Sequence, residues 1–271
     1  MMSAPADLSE RDAPAAVPCA RCGYDVRALT EPRCPECGLA FDPHAQPLAD
    51  VPWFRREQIG AVRAYYRTVW LVLSRPRRLA EQVGRDVEVD GRGAAAFRRV
   101  TIWLASLSIA TATFLMAAFD GGGFLGRMPP IAFIVALAGA LLFFHVTTWI
   151  DHNLAGPTLF ARDRFARLQN FCCAALGLAP VLPLLVLLGR APAARGLILP
   201  GVTYAALPLA ALAILAAWWA SDVLFHRRAG RASLSAATIH AATIPLFWLV
   251  AAFAALAVMW PLTVVASMLA G

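Results

Sequence analysis

Four cysteines fall in two C-x-x-C pairs, Cys19/Cys22 and Cys34/Cys37, separated by eleven residues. Four thiolates in this spacing suit a tetrahedral zinc ion, which takes sulfur ligands and carries no redox chemistry of its own. A two-residue gap lets one tight turn deliver both sulfurs of a pair to one metal. Gly23 and Gly38 each follow the second cysteine of a pair. Glycine there can take a positive φ and turn backbone N–H groups toward the sulfurs, and Pro35 pre-shapes the second turn. With all four positions filled by protein, the site reads as structural, lacking the open coordination position that catalysis needs. A module of about 20 residues has no core of its own, so the metal must supply its folding energy.

Two other chemistries compete for the same cysteines. Disulfides require an oxidising compartment, and a thioredoxin-like C-x-x-C requires a βαβ context. Neither fits the remainder of the chain. Residues 1–18 are rich in Ala and Pro, have no apolar h-region, and read as a disordered tail rather than a signal peptide. The ribbon occupies residues 19–41. Residues 42–52 hold three prolines and read as an extended linker, which would leave the ribbon a tethered module moving independently of the helices after it.

The rest of the chain must position this module at a membrane. Of 271 residues, 59% are hydrophobic and 15% charged, against about 45–50% apolar and about 25% charged in soluble domains. So little charge cannot cover a water-facing surface. Five apolar stretches have spanning length, at residues 100–119, 129–150, 170–189, 197–221 and 242–264. Pro180, Pro183, Pro208, Pro245 and Pro261 lie in or beside them and predict kinks rather than breaks, since neighbouring helices can satisfy the freed carbonyls. All 24 basic residues are arginine, which removes lysine-based chemistry. Placed on this five-span topology, 21 arginines fall on the N-terminal side and three on the other. The positive-inside rule then gives a cytoplasmic N-terminus, an extracytoplasmic C-terminus, and a reducing surrounding for the cysteines.

Residues 53–99 read as amphipathic helices at the cytoplasmic boundary. Ile59, Val62, Tyr66, Val69, Trp70 and Leu73 form a stripe at 3–4 spacing, flanked by Arg56, Arg63 and Arg67. Such a helix either lies in the headgroup plane or packs on the ends of the bundle. Ser74 and Pro76 predict a cap and restart, with a short helix ending near Gly84. The fold expected is therefore an all-α polytopic membrane protein, with five transmembrane helices, an amphipathic pre-membrane helix and a small N-terminal zinc ribbon.

The motif CARCGYDVRAL…RCPECG over residues 19–38 resembles the short N-terminal zinc ribbon of many bacterial membrane proteins of unassigned function. The remainder, YYRTVWLVLSRPRRLAEQV and five hydrophobic spans, is similar to the Yip (Ypt-interacting protein) class. That resemblance rests on topology and the proline break at Ser74–Arg78. It implies a cytoplasmic N-terminus and a scaffold or trafficking-type role without catalysis.

Polar groups cluster at the predicted cytoplasmic boundary: His145, Asp151, His152, Asp222, His226 and His240. They read mainly as an interfacial polar rim, with His145 deeper, hydrogen-bonded to a neighbouring helix and with Asp222 as its partner. Cys172 and Cys173 read as small packing residues, and Gly121–Gly123 as a turn. No H-E-x-x-H, G-x-S-x-G, EF-hand or phosphate-loop pattern is present. The expected function is a non-enzymatic inner-membrane scaffold whose ribbon is an adaptor for a cytoplasmic partner. A small transporter and a membrane enzyme built on His145, His152, His226 and Asp222 are the alternatives. The basic region faces anionic lipid rather than nucleic acid.

Overall fold

The computed structural model describes residues 19–229 apart from 20, 27, 28, 30, 41–47, 85, 86, 121–128, 155–161 and 191–199; Pro245 is also described. After the cysteine module and a 3-10 turn at Pro52–Arg55 come α1 (Arg56–Ile59), α2 (Ala61–Ser74) and α3 (Pro76–Gly84). The apolar part comprises α4 (Gly91–Asp120), α5 (Pro129–Leu154), α6 (Arg162–Gln169), a 3-10 segment Cys172–Leu178, α7 (Val181–Arg190) and α8 (Pro200–Arg228). Among the described residues pairing is confined to isolated β-bridges, and four stretches are long and apolar enough to cross a membrane: Gly91–Phe119, Pro129–Trp149, Arg164–Gly189 and Ala206–Arg228. The fifth expected span, residues 242–264, lies outside the described residues, as do the tail 1–18 and His240.

The four stretches bury large apolar side chains such as Ile102, Phe144, Ile214 and Trp218 together with small and hydroxyl-bearing ones. Thr101, Ala105, Ser106 and Ala110 of α4 are buried, while Ile134, Leu184, Leu188, Leu209 and Leu212 are exposed. Small residues let helix backbones approach closely where no hydrophobic force operates between helices. Hydroxyls in the apolar layer bond their own helix: Ser108 donates to the Leu104 carbonyl at 2.6 Å, Thr147 to Phe143 at 2.7 Å and Ser221 to Ala217 at 2.7 Å. No separate partner is then needed for them.

The third stretch departs from the expected simple span. It consists of α6, the 3-10 segment and α7, with a turn at Ala179–Pro180. Proline cannot donate to the carbonyl four residues back and its ring crowds that carbonyl. The Leu176 carbonyl instead accepts from Ala179 N at 3.0 Å, and the tighter i→i+3 pattern results. Pro208, by contrast, lies within a helix that runs on to Arg228. The first span also differs from expectation, since its helix begins at Gly91, nine residues before the charge-free run.

Gly177 in the 3-10 segment is where α2 crosses most closely. A Cβ there would sit 2.7 Å from Tyr65 Oη and 2.9 Å from Val69 Cγ2. Gly177→Ala should therefore cost about 1–3 kcal/mol through overpacking. The check is the thermal midpoint in detergent, alone and in a Tyr65→Phe background. The two substitutions should be less than additive, because removing the hydroxyl relieves the nearest contact.

α2 is more deeply engaged than its stripe predicts. Ala64, Tyr65, Thr68, Val69, Leu71 and Val72 are buried, and Val62, Tyr66 and Trp70 are exposed at 73%, 48% and 72%. Of the predicted apolar face, Val69 points inward and the line 62–66–70 points out. The buried face is selected by Tyr65 and Thr68. Tyr65 donates to Thr101 Oγ1 at 3.2 Å, and Thr68 Oγ1 accepts from Trp53 N at 2.9 Å. Trp53 stacks edge-on against Phe97 (5.5 Å) and Tyr65 (6.2 Å), and Phe97 meets Phe171 at 4.9 Å. The Trp53 indole N–H donates to the Gly93 carbonyl at 2.8 Å. This aromatic cluster anchors α2 to the start of α4 and the end of α6, and is worth about 0.5–1.5 kcal/mol per pair beyond burial. The proline break behaves as expected, with α3 starting at Pro76. The Ser74 hydroxyl donates back to the Trp70 carbonyl at 2.6 Å rather than capping α3.

Candidate metal centre

Two near-identical turns build the cysteine site. In the first, Gly23 N donates to the Cys19 carbonyl at 2.9 Å and Cys19 N to the Tyr24 carbonyl at 2.7 Å. In the second, Gly38 N donates to the Cys34 carbonyl at 2.8 Å and Cys34 N to the Leu39 carbonyl at 2.9 Å. Gly23 and Gly38 have φ of 82° and 67°, the left-handed region that glycine takes without strain. The two turns face each other, with Cys19 Sγ 3.6 Å from Cys37 Sγ and Cys22 Sγ 3.5 Å from Cys34 Sγ. All four sulfurs lie within 4.8 Å of one another.

These distances fit a metal and not a bond between sulfurs. A disulfide holds its sulfurs at about 2.05 Å. Tetrahedral zinc with Zn–S of about 2.3 Å places them roughly 3.8 Å apart. The thiols also compete for ionisation. Burial opposes ionisation of Cys34, but the backbone N–H groups of Cys37 and Glu36 outweigh it and bring this thiol to about 7. Burial, reinforced by the neighbouring thiols, pushes Cys37 up to about 12. Four adjacent thiols do not ionise together unaided, whereas a bound dication stabilises all four as thiolates. Four cysteines are thus close enough to hold a metal ion, and among the described residues they form the single group of three or more such ligands.

The surroundings differ from those expected around an independent module. Cys19, Val26, Cys34 and Leu39 belong to one buried cluster with Ala49, Val51, Leu79, Val83 and Val87. The second half of the expected linker is laid down as structure: Leu48 forms a parallel bridge with Glu88, and Ala49 N donates to the Glu88 carbonyl at 2.8 Å. Residues 41–47 lie outside the described set. At the junction Asp50, only 6% exposed, gathers three guanidiniums. Arg21 of the first cysteine turn lies 3.2 Å from it and Arg55 lies 2.6 Å from it; Arg78 of α3 also pairs with it. Its backbone N–H donates to Gln82 Oε1 at 3.3 Å. Burial raises the Asp50 carboxyl, but Arg21, Arg78 and Arg55 outweigh that and hold it below the ordinary carboxylate range. Sequence reasoning misses Asp50, because its partners lie 29 residues before it and 5 and 28 after it.

Among the described residues, no group of three or more metal-ligating side chains includes a boundary histidine. His145 is exposed and shares a cleft of about 660 Å³ with Arg98, Trp149 and Asn170. His226 Nδ1 instead lies 2.9 Å from the Asp222 backbone carbonyl oxygen one helical turn back, with the Asp222 carboxylate Oδ1 at 3.4 Å. His226 also stands edge-on to Phe165 at 5.0 Å. The expected His145–Asp222 pairing is replaced by an i,i+4 pair on α8, whose helix continues past the predicted end at residue 221. Phe225, between the two, belongs to the same buried cluster as the ribbon. The side chains of Asp151 and His152 lie outside the described residues. Cys172 and Cys173 are buried packing residues, as their apolar surroundings imply.

Known protein families, curated proteins and solved structures contain no match to this chain. The resemblances to ribbon-bearing bacterial membrane proteins and to the Yip class therefore rest on the quoted residues alone.

Proposed function

We propose that the four cysteines hold a structural Zn²⁺ and that the chain is a non-enzymatic, multi-pass scaffold of a bacterial inner membrane, its ribbon facing the cytoplasm as a docking platform for a protein partner. The observation that carries this reading is a cluster of four cysteine sulfurs within 4.8 Å of one another, on a module that shares a buried cluster with the helices and keeps exposed residues elsewhere. Tyr24, Asp25, Glu31, Pro35 and Glu36 of the module are exposed. A platform locked in place presents these residues in one orientation, so the partner does not have to order them on binding. The cavity of about 470 Å³ between α4, α5, α7 and α8, lined by apolar side chains such as Ile109, Phe143, Leu176 and Leu215, offers a polar solute no ligand. That weighs against a permease for polar substrates.

The test is cross-linking capture by the full chain with and without Tyr24→Ser/Glu36→Arg. The variant should keep its metal and its thermal midpoint and lose the captured protein. Equal capture by both chains would remove the adaptor reading. A reporter fused at Gly271 should read out as extracytoplasmic, as the arginine asymmetry requires.

A further inference from the structure

We propose that the cleft between the cysteine module, the α2–α3 hinge and the end of α8 binds the phosphate headgroup of an anionic membrane lipid. The cleft measures about 740 Å³ and brings together Arg21, Arg75, Arg77 and Arg78, with Glu81 the single carboxylate among its lining residues. Four guanidiniums against one carboxylate leave a net charge of three positive on one small concavity. Arg21 and Arg78 are fixed there by their shared grip on Asp50, itself outnumbered by its three arginine partners. Arg75 and Arg77 are exposed, and among the described residues neither has an ion-pair partner. Guanidinium forks match phosphate oxygens bidentately, the chemistry that favours arginine over lysine for this ligand.

The depth of the cleft selects a lipid as the source of the phosphate. Leu224, one turn before the end of α8 at Arg228, also lines it, so the cleft lies level with the polar end of a membrane-length stretch. Directly before the hinge, Val62, Tyr66 and Trp70 are exposed at four-residue spacing along α2. Trp and Tyr on such a line favour the boundary between headgroups and acyl chains. A lipid there sets its tails against this apolar line and its phosphate among Arg75, Arg77 and the two fixed arginines. Basic pockets at helix ends on the membrane surface bind acidic headgroups by this combination. This inference is independent of which metal the cysteines hold and of any protein partner.

The full chain, purified in detergent, is mixed with dioleoyl phosphatidylglycerol or dioleoyl phosphatidylcholine, and bound lipid is read by native mass spectrometry. The wild type should retain phosphatidylglycerol and discriminate against phosphatidylcholine. Arg75→Gln/Arg77→Gln should lower phosphatidylglycerol retention by about tenfold or more, and the double lysine replacement should recover part of it. Glu81→Gln should raise retention by about fivefold, a gain that misfolding cannot produce. Equal retention of the two lipids, or no response to the arginine and Glu81 variants, overturns the proposal. Full displacement of the lipid by millimolar inorganic phosphate also overturns it, by identifying a soluble anion as the ligand.

Discussion

Cys34→Ser, or stripping the metal from the wild type with a chelator, is expected to loosen more than the ribbon. A hydroxyl is a poor, hard replacement for thiolate, so the four-sulfur set loses its metal. Structural zinc supplies about 10–16 kcal/mol of apparent binding energy to small modules of this kind, which unfold without it. In a tethered module the damage would stop there. Here Val26 and Leu39 are 3% and 5% exposed and share a buried cluster with Val51, Leu79 and Val87. Releasing them removes burial worth up to about 1.5–3 kcal/mol for each fully buried side chain. It also leaves the Ala49–Val51 segment and the Glu88 bridge uncovered. Hydrogen exchange should accelerate across residues 48–53 and 79–89 as well as 19–40, and the thermal midpoint of the helical domain should fall. Faster exchange confined to residues 19–40, with an unchanged midpoint, would restore the independent module and contradict the shared buried cluster.

How far the sequence foretells this architecture differs element by element. The cysteine cluster was legible because its parts are local: two C-x-x-C turns need only their own glycines and backbone N–H groups to form. The apolar stretches at 100–119 and 129–150 were legible because hydropathy alone decides what a charge-free run of that length can do in water. The break in the third stretch was signalled by Pro180, but not its outcome, because a freed carbonyl can be satisfied by a neighbouring helix or by a tighter local turn. For α2 the periodicity marked the line Val62–Tyr66–Trp70, which is exposed as in a helix lying in the headgroup plane, but it did not mark the second, buried face. Tyr65 and Thr68 look less apolar than Val62 and Trp70, yet each finds a buried hydrogen-bond partner, Thr101 or Trp53 N, that lies far away in sequence. The His145–Asp222 pairing failed for a related reason. Asp222 already had a partner four residues along its own helix, and a local i,i+4 contact needs no tertiary placement. Docking of the ribbon was illegible because a proline-rich linker of eleven residues predicts freedom, and nothing local marks Asp50 as the residue that removes it.

Asp50→Asn isolates that docking without touching a cysteine. The replacement keeps the volume and removes the charge, leaving Arg21, Arg55 and Arg78 facing one another without their counterion. Removing one partner of a buried ion pair costs about 3–5 kcal/mol. The three side chains retain 36%, 32% and 26% of their exposure, so water screens part of the loss, and about 2–4 kcal/mol is expected. The metal content should stay at the wild-type level while the thermal midpoint falls and exchange accelerates at residues 48–53. The pH dependence gives a second signature. Because the folded carboxyl sits below its ordinary value, its stabilisation is complete above the unfolded value of about 3.9 and is lost as pH falls through the folded value. The stability gap between wild type and Asp50→Asn should therefore be constant from neutral pH down to about 5 and close in stronger acid. Metal release affects both chains alike, so the gap and not either curve is the quantity to follow. A gap already absent at neutral pH would mean that the arginines are held by packing alone and that Asp50 does not lock the ribbon to the helices.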